Sequence, residues 1–155
     1  MQGSHVLDIK FGGFNLEIVF DKHDKLYLIE MGPRNGGNMI PDLLNMITGV
    51  DMIAATVEAT MSNYSIDFNY VKEESYFATH NIHSSKNGVF KGVTFNAEIE
   101  KTIVKKVIYK KVGDPVQYFD GANKAIGIVF FKFDSKEQMI DMMDNPDKWI
   151  NVIVE

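Results

Sequence analysis

The stretch FNLEIVFDKHDKLYLIEMGPR, residues 14–34, contains two apolar runs separated by a short polar segment. Both runs, residues 14–21 and 25–31, are rich in residues that favour strands, and the segment between them is typical of a turn. A hairpin centred on His23 and Asp24 pairs residues whose numbers sum to 47. Because side chains alternate between the two faces of a strand, six apolar residues then share one face. The predicted pairs on that face are Leu16–Met31, Ile18–Ile29 and Phe20–Tyr27.

The same register places Glu17 directly opposite Glu30 on the other face of the hairpin. Two carboxylates on adjacent strands repel each other unless a proton, a base or a cation lies between them. Mg²⁺ is often held by one or two carboxylates together with substrate phosphates. The pattern therefore indicates a metal site. The alternative is that this face is solvent-exposed and the pair is incidental.

The residues after the second run favour an anion site beside the carboxylates. Arg34 carries a planar guanidinium that suits phosphate or carboxylate, and the glycine pair at Gly36 and Gly37 allows a tight turn or a close approach to a ligand. A helix is predicted to start near Ile40, with Pro41 in its first turn. The N-terminus of a helix favours negative charge. Carboxylates, guanidinium, glycines and a helix start together are typical of a metal–phosphate site.

A second helix is predicted over residues 52–61. Gly49 ends the first helix, and Asp51 is a suitable N-cap for the second. The apolar residues Ile53, Val57 and Met61 form one stripe of that helix, which indicates an amphipathic element.

At these residues the sequence resembles the ATP-grasp superfamily. The resemblance rests on GFNLE at residues 13–17, YLIEMGPR at 27–34, IP at 40–41 and TGVD at 48–51, about 50 residues in all. It implies an α+β fold: the C-terminal lobe of an ATP-grasp fold, an antiparallel sheet with helices, followed by a small β-rich lobe. It also implies a reaction class. ATP phosphorylates a carboxylate, and an amine or another nucleophile then attacks the acyl phosphate.

The resemblance also implies roles for individual residues. Glu17 and Glu30 would hold Mg²⁺ or Mn²⁺ against the phosphates of ATP, and Arg34 would be the catalytic phosphate contact. Family members commonly have an asparagine two residues after the second glutamate, where this chain has Gly32. Asn35, or else Asn38, would then supply the missing contact to the cofactor.

Several functions remain open on these grounds. The spacing from Arg34 to Pro41 looks most like that of amino-acid and peptide ligases, which would make the chain the C-terminal fragment of an ATP-dependent carboxylate–amine ligase. Other segments resemble the large chain of carbamoyl-phosphate synthase. A non-catalytic binding or oligomerisation module that keeps the fold is a third alternative, and an unrelated α+β domain is the fourth.

The rest of the chain predicts a linker and a second lobe. Residues 1–62 would form the ATP-grasp part, residues 63–75 a linker, and residues 76–155 a small antiparallel β-rich lobe. Strands are predicted at 76–83, 89–95, 102–112, 116–119, 125–133 and 151–154, with a helix opening at the capping box Ser135–Gln138. Its inward residues would be Met139, Ile140, Met142 and Met143. His80 and His83 are expected to face opposite sides of a strand and to play a structural or surface role.

Composition narrows the class of protein. The 155 residues carry a net charge of −5 and no cysteine, which argues against a nucleic-acid-binding surface and excludes a disulfide framework. No apolar run reaches the length of a membrane span, and we expect a cytoplasmic protein without a membrane partner. Residues 1–5 resemble an expression-tag remnant that runs directly into a strand-like segment at residues 6–11. This start predicts a fragment that lacks a preceding lobe.

The missing lobe has consequences for activity and assembly. In the family it brings lysines and a glycine-rich loop over the phosphates, and neither is recognisable in this sequence. The isolated chain is therefore expected to fold but to be inactive. The surface that would face the missing lobe is expected to promote self-association into a homo-oligomer.

Overall fold

A computed structural model describes residues 11–61 and 75–155 of the chain. The suggested tag remnant at residues 1–5, most of the strand expected at 6–11 and nearly all of the linker lie outside the described residues. The chain divides into two compact units, Met1–Glu73 and Glu74–Glu155.

The described part of the first unit contains one hairpin and two helices. Strands β1 (Asn15–Phe20) and β2 (Leu26–Gly32) pair antiparallel as a two-stranded sheet. Helices α1 (Ile40–Thr48) and α2 (Met52–Thr60) follow. The Asp51 carboxylate accepts hydrogen bonds from the backbone N–H groups of Ile53 and Ala54, which confirms the predicted N-cap. Gly49 ends α1 in the left-handed conformation with φ 73°.

The predicted register is correct for the open end of the hairpin and wrong near the turn. Glu17 pairs with Glu30, and Leu16 with Met31, as expected. Nearer the turn Ile18 pairs with Leu28, so the predicted Ile18–Ile29 and Phe20–Tyr27 pairs do not form. The cause is a five-residue loop rather than a turn centred on His23 and Asp24, together with a β-bulge beyond it.

The apolar surface of the first unit is not the core that its pattern predicts. Phe20 is 58% exposed and Leu28 is 56% exposed. In α2 the predicted stripe of Ile53, Val57 and Met61 is also exposed, and the buried residues of that helix are Ala55 and Ala59. Within the described residues, nothing covers this apolar surface.

The second unit contains two three-stranded antiparallel sheets. One has the order β3 (Tyr76–Ile82), β7 (Gly127–Phe133), β5 (Ile103–Ile108). The other has the order β6 (Pro115–Val116), β4 (Gly88–Phe95), β8 (Ile150–Val154). Two short helices, α3 (Ala97–Glu100) and α4 (Lys136–Met143), complete the unit, with 3₁₀ turns at Ala122–Lys124 and Pro146–Lys148.

The core of this unit lies around the central strand β7. Phe130, Phe131 and Phe133 are fully buried. Phe131 and Phe133 belong to the core cluster, and Trp149 packs against it. The other core residues come from both sheets, from α3 and α4, and from the position before β7: Ile82, Phe90, Ile99, Val116, Ile126, Val129, Met142, Ile150 and Val154. One continuous core therefore joins the two sheets.

Several boundaries in the second unit differ from prediction. The strand expected at residues 102–112 runs only from Ile103 to Ile108, and the chain turns later, at Gly113, where φ is 99°. The strand expected at 116–119 is reduced to β6. In α4 Ile140 is exposed rather than inward. The capping box is half formed, since Gln138 accepts a hydrogen bond from the N–H of Asp134 instead of Ser135.

The histidine prediction also needs correction. His83 lies just beyond the end of β3, where strand alternation no longer applies, and its ring centre is 5.4 Å from that of His80. The two rings are therefore neighbours rather than on opposite sides.

No single helix in the described ranges is long and apolar enough to cross a membrane. Taken together, α1 and α2 have the length and apolar composition of a membrane span, but the chain bends by 107° between them.

Candidate functional site

The two glutamates lie directly opposite each other at the position where the hairpin becomes irregular. Glu17 and Glu30 are Cα partners, and the register shifts by one residue between Glu17 and Ile18. The extra residue on β2 is Ile29, next to Glu30. Bulges of this kind bend a strand and change the direction of the neighbouring side chain, and they are frequent beside functional sites. Both carboxylates are solvent-exposed, so the pair is accessible to an ion from solution.

The bulge changes which residues accompany the carboxylates. With the observed register, one side of the hairpin, here called the carboxylate face, carries Asn15, Glu17, Val19, Tyr27, Glu30 and Gly32. The opposite side, the apolar face, carries Leu16, Ile18, Phe20, Leu26, Leu28 and Met31. Tyr27 and Leu28 have therefore exchanged faces relative to the prediction.

The turn of the hairpin is closed by Asp21 rather than by the residues at its centre. The Asp21 carboxylate accepts hydrogen bonds from the N–H groups of His23 (2.8 Å) and Lys25 (3.0 Å) and from the Tyr27 hydroxyl (3.3 Å). These bonds lower the pKa of Asp21, the backbone bond from His23 most of all. Asp24 takes the left-handed conformation with φ 58°. The loop closed in this way has five residues, which shifts the register by one residue relative to the prediction. The bulge at Ile29 shifts the register back, so that Glu17 pairs with Glu30.

Arg34 lies in the exposed segment that leaves β2. The backbone N–H of Arg34 donates a hydrogen bond to the carbonyl of Gly32 at 2.8 Å, which forms a tight turn. The Arg34 guanidinium donates a hydrogen bond to the carbonyl of Asn35 at 3.0 Å. Within the described residues no carboxylate pairs with this guanidinium, so its charge remains available to an anion. A guanidinium four residues after Glu30 can contact a phosphate whose oxygens also bind a cation.

Asn35 has a structural partner that the sequence did not reveal. Its amide NH₂ donates to the hydroxyl of Thr56 at 3.0 Å and to the carbonyl of Met52 at 3.4 Å, which ties the loop to α2. A Cβ at Gly13 would collide with the Asn35 amide oxygen, so a larger residue there would displace the Asn35 side chain. This network anchors the loop that carries Arg34, and any contact of Asn35 with a cofactor stays a prediction.

Gly32 has open space beside it. A Cβ added there would have as its nearest neighbour the Glu30 carboxylate oxygen, at 4.0 Å. The position that carries asparagine in many family members is therefore vacant and adjacent to the carboxylate pair.

The loop then enters α1 through two residues in the left-handed conformation. Asn38 has φ 50° and Met39 φ 54°, which is uncommon for residues other than glycine. Met39 provides no side-chain cap for α1. The N–H groups of Ile40 and Asp42 donate to the backbone carbonyls of Gly37 and Met39, and Pro41 has no N–H.

The described residues contain no group of three His, Cys, Asp or Glu side chains placed to hold a metal ion. Glu17 and Glu30 are thus at most a two-carboxylate site. Mg²⁺ accepts such a site when phosphate oxygens and water fill its remaining positions.

The fold resembles that of known ligases and carboxylases. The chain aligns with phosphoribosylglycinamide synthetase from Anaerococcus prevotii (TM-score 0.79, 21% identity) over 99% of its own length and 40% of that chain. It aligns with L-amino acid ligase from Bacillus licheniformis (TM-score 0.76, 16% identity) over 98% of its own length and 38% of that chain.

A third similar structure holds a nucleotide. The biotin carboxylase domain of 2-oxoglutarate carboxylase from Hydrogenobacter thermophilus was solved with magnesium ADP and bicarbonate. It aligns with TM-score 0.66 and 17% identity, over 93% of this chain and 32% of that one.

The chain spans 40% or less of the length of each of these three structures. No protein-family model matches the sequence, and no curated protein matches it. The chain has an α+β fold that matches part of the ATP-grasp fold, so the resemblance stated from the sequence is confirmed at the level of the fold.

Proposed function

We propose that the chain is the C-terminal part of an ATP-dependent carboxylate–amine ligase that acts through an acyl phosphate. The observation that carries the proposal is the direct pairing of Glu17 with Glu30 at a β-bulge, followed four residues later by Arg34 without an ionic partner in the described part of the chain. Ligases among the similar structures support the reaction class.

Each residue would have a separate task in phosphoryl transfer. Glu17 and Glu30 would hold a divalent cation that neutralises the phosphate oxygens of ATP, and Arg34 would contact the transferred phosphoryl group. Such transfer depends mainly on position and charge, so it requires neither a nucleophilic serine nor a histidine base. Asn35 would act through the loop, because its bonds to α2 hold Arg34 in position.

The remaining contacts would come from outside this chain. ATP bound only by two carboxylates and one guanidinium would leave its base and most of its phosphates in water. We infer that a further lobe with lysines and backbone amides completes the site, which agrees with the partial coverage of the similar structures.

The decisive experiment uses the protein that contains this chain at full length. Hydroxylamine traps an acyl phosphate as a hydroxamate, so ATP-dependent hydroxamate formation from a panel of carboxylates tests the reaction class. Arg34→Lys should reduce this rate by about 100-fold and leave the melting temperature unchanged, because an ammonium cannot reproduce the two-pronged guanidinium contact. Lys22→Arg, a change of the same size in the hairpin turn, is the matched control.

Two outcomes would contradict the proposal. One is the absence of hydroxamate and of carboxylate-dependent phosphate release with every carboxylate tested. The other is normal turnover in Arg34→Lys, which would give Arg34 a structural role only.

A second candidate function is a binding module that retains the fold without catalysis. Gly32 favours it, since the chain offers no side chain where family members commonly have a ligand. A full-length protein that binds ATP and never forms an acyl phosphate would establish this alternative.

A further inference from the structure

The two neighbouring histidines of the second unit have a geometry that their sequence spacing did not suggest. His80 lies on β3 and His83 just after it, with ring centres 5.4 Å apart and ring planes tilted by 42°. Two imidazoles that share a tetrahedral zinc ion at about 2.1 Å place their ring centres about 5.3 Å apart, because each centre lies about 1.1 Å behind its ligating nitrogen. The observed separation of 5.4 Å is close to this value.

The hydrogen bonding of His83 leaves the right nitrogen available. Its Nδ1 lies 2.7 Å from the carbonyl oxygen of Asn81, and since a carbonyl only accepts, Nδ1 carries the proton. In the neutral ring the lone pair is then on Nε2. In metal-binding histidines the N–H of the second ring nitrogen commonly donates a hydrogen bond to a carbonyl in this way. Stacking on Phe119, with ring centres 4.5 Å apart, further fixes the ring.

His80 is also in a suitable state. It is half-buried, and within the described residues neither of its ring nitrogens makes a hydrogen bond. A ring nitrogen without a hydrogen-bond partner is available to a metal ion.

An open cleft adjoins His83. His83 and Asp147 both contribute to a cleft of about 240 Å³, together with Ser84, Ser85, Lys86 and Asn151. Asp147 also acts on His80 electrostatically, in the direction that favours positive charge. Lys86 opposes a cation in the same cleft, but its ammonium suits an anion bound to that cation. No third His, Cys, Asp or Glu in the described ranges completes a ligand set, so the other positions of an ion would hold water or a solute.

We propose that His80 and His83 together bind one divalent transition-metal ion of the zinc class, with its remaining coordination positions open to the cleft beside Asp147. Imidazole ligands select zinc, nickel and copper, whereas magnesium prefers oxygen ligands. The site is thus chemically separate from the carboxylate pair at Glu17 and Glu30, and it does not depend on the proposed ligase function.

The test is calorimetric titration of the 155-residue chain with Zn²⁺. His80→Asn and His83→Asn should each weaken binding at least about tenfold, since each removes one of two protein ligands. His23→Asn is the matched control, because His23 is an exposed turn residue, and its binding should be unchanged. Asp147→Asn should weaken binding about twofold to threefold through charge alone. Glu17→Gln should have no effect.

Side-chain nitrogen NMR of the unmodified chain gives an independent measurement that no folding defect can confuse. Zn²⁺ should shift Nε2 of His83 and leave its Nδ1 protonated. Equal Zn²⁺ affinity in His80→Asn and the unmodified chain would overturn the proposal, as would zinc-induced shifts confined to histidines other than His80 and His83.

Discussion

Gly32 is the residue at which the carboxylate face differs most from a complete magnesium site. Its side-chain position is empty, and the closest atom to an added Cβ is the Glu30 oxygen at 4.0 Å. An asparagine there has room for its Cβ and carries an amide oxygen next to the carboxylate pair. The difference between a weak and a complete cation site would then depend on one side chain.

Gly32→Asn is therefore expected to tighten Mg²⁺ binding to this chain by about tenfold, roughly 1.4 kcal/mol, because it adds a neutral oxygen ligand. Competition of Mg²⁺ with Mn²⁺, followed by electron paramagnetic resonance, measures the affinity. Gly32→Ala is the control, since it fills the same space without a ligand. If the two variants bind equally, the space beside Glu30 does not face the ion.

At the scale of elements, the hairpin shows what a pattern of residues can and cannot predict. Alternation of apolar residues predicted the Glu17–Glu30 pair, which forms because the odd loop and the bulge offset each other. It could not reveal that the Asp21 side chain closes an odd loop, or that Ile29 is the extra residue that restores the register. Those features depend on local hydrogen bonds and on the left-handed conformation of Asp24, which many residue types can adopt at some cost.

Burial was predictable only for the second unit. The consecutive phenylalanines of β7 are apolar on both faces, and such a strand is typical of the middle of a core. In the first unit the same apolar pattern occurs in strands whose apolar side chains are exposed. A sequence shows which side chains are apolar, but it does not show whether another element of the described part of the chain packs against them. Likewise, spacing alone placed His80 and His83 apart, since it did not show that β3 ends at Ile82.

Strand β3 also carries the clearest pH dependence. Burial lowers the pKa of His80 below its ordinary value of 6.5, so the unfolded chain takes up a proton more readily than the folded one. The contribution of His80 to stability is fully present above that ordinary value and is lost as the pH falls below it. Thermal unfolding of the second unit should therefore become easier between pH 7.5 and pH 5.5.

Replacing the titrating ring tests this assignment. His80→Asn should flatten the pH dependence, and His23→Asn should leave it unchanged. An equally steep dependence in His80→Asn would assign the effect to another group.

At the scale of the whole molecule, the apolar face of the hairpin is the main unsatisfied surface. All but one of its residues, Met31, are classed as exposed large hydrophobics, and the exposed stripe of α2 adds to the uncovered apolar surface. Contiguous apolar surface of this kind promotes association in water. The isolated chain should therefore form oligomers whose population rises with concentration.

Phe20→Lys and Leu28→Lys are expected to reduce that association without a loss of folded structure, because both side chains are more than half exposed. Sedimentation velocity over a hundredfold range of concentration measures the change. Val112→Lys is the control, as Val112 is an exposed apolar residue of the second unit. A monomer at every concentration, or equal effects of all three variants, would contradict a role for the hairpin.

The most direct test of the central claim locates the divalent cation on this chain. Mn²⁺ broadens amide signals in its vicinity, and millimolar binding is sufficient to observe it. We predict that substoichiometric Mn²⁺ broadens the amides around Glu17, Glu30 and Gly32 first, that Mg²⁺ reverses the effect, and that Glu30→Gln abolishes it. Uniform broadening, or broadening that persists in Glu30→Gln, would contradict the assignment of Glu17 and Glu30 as the metal ligands of an ATP-dependent ligase.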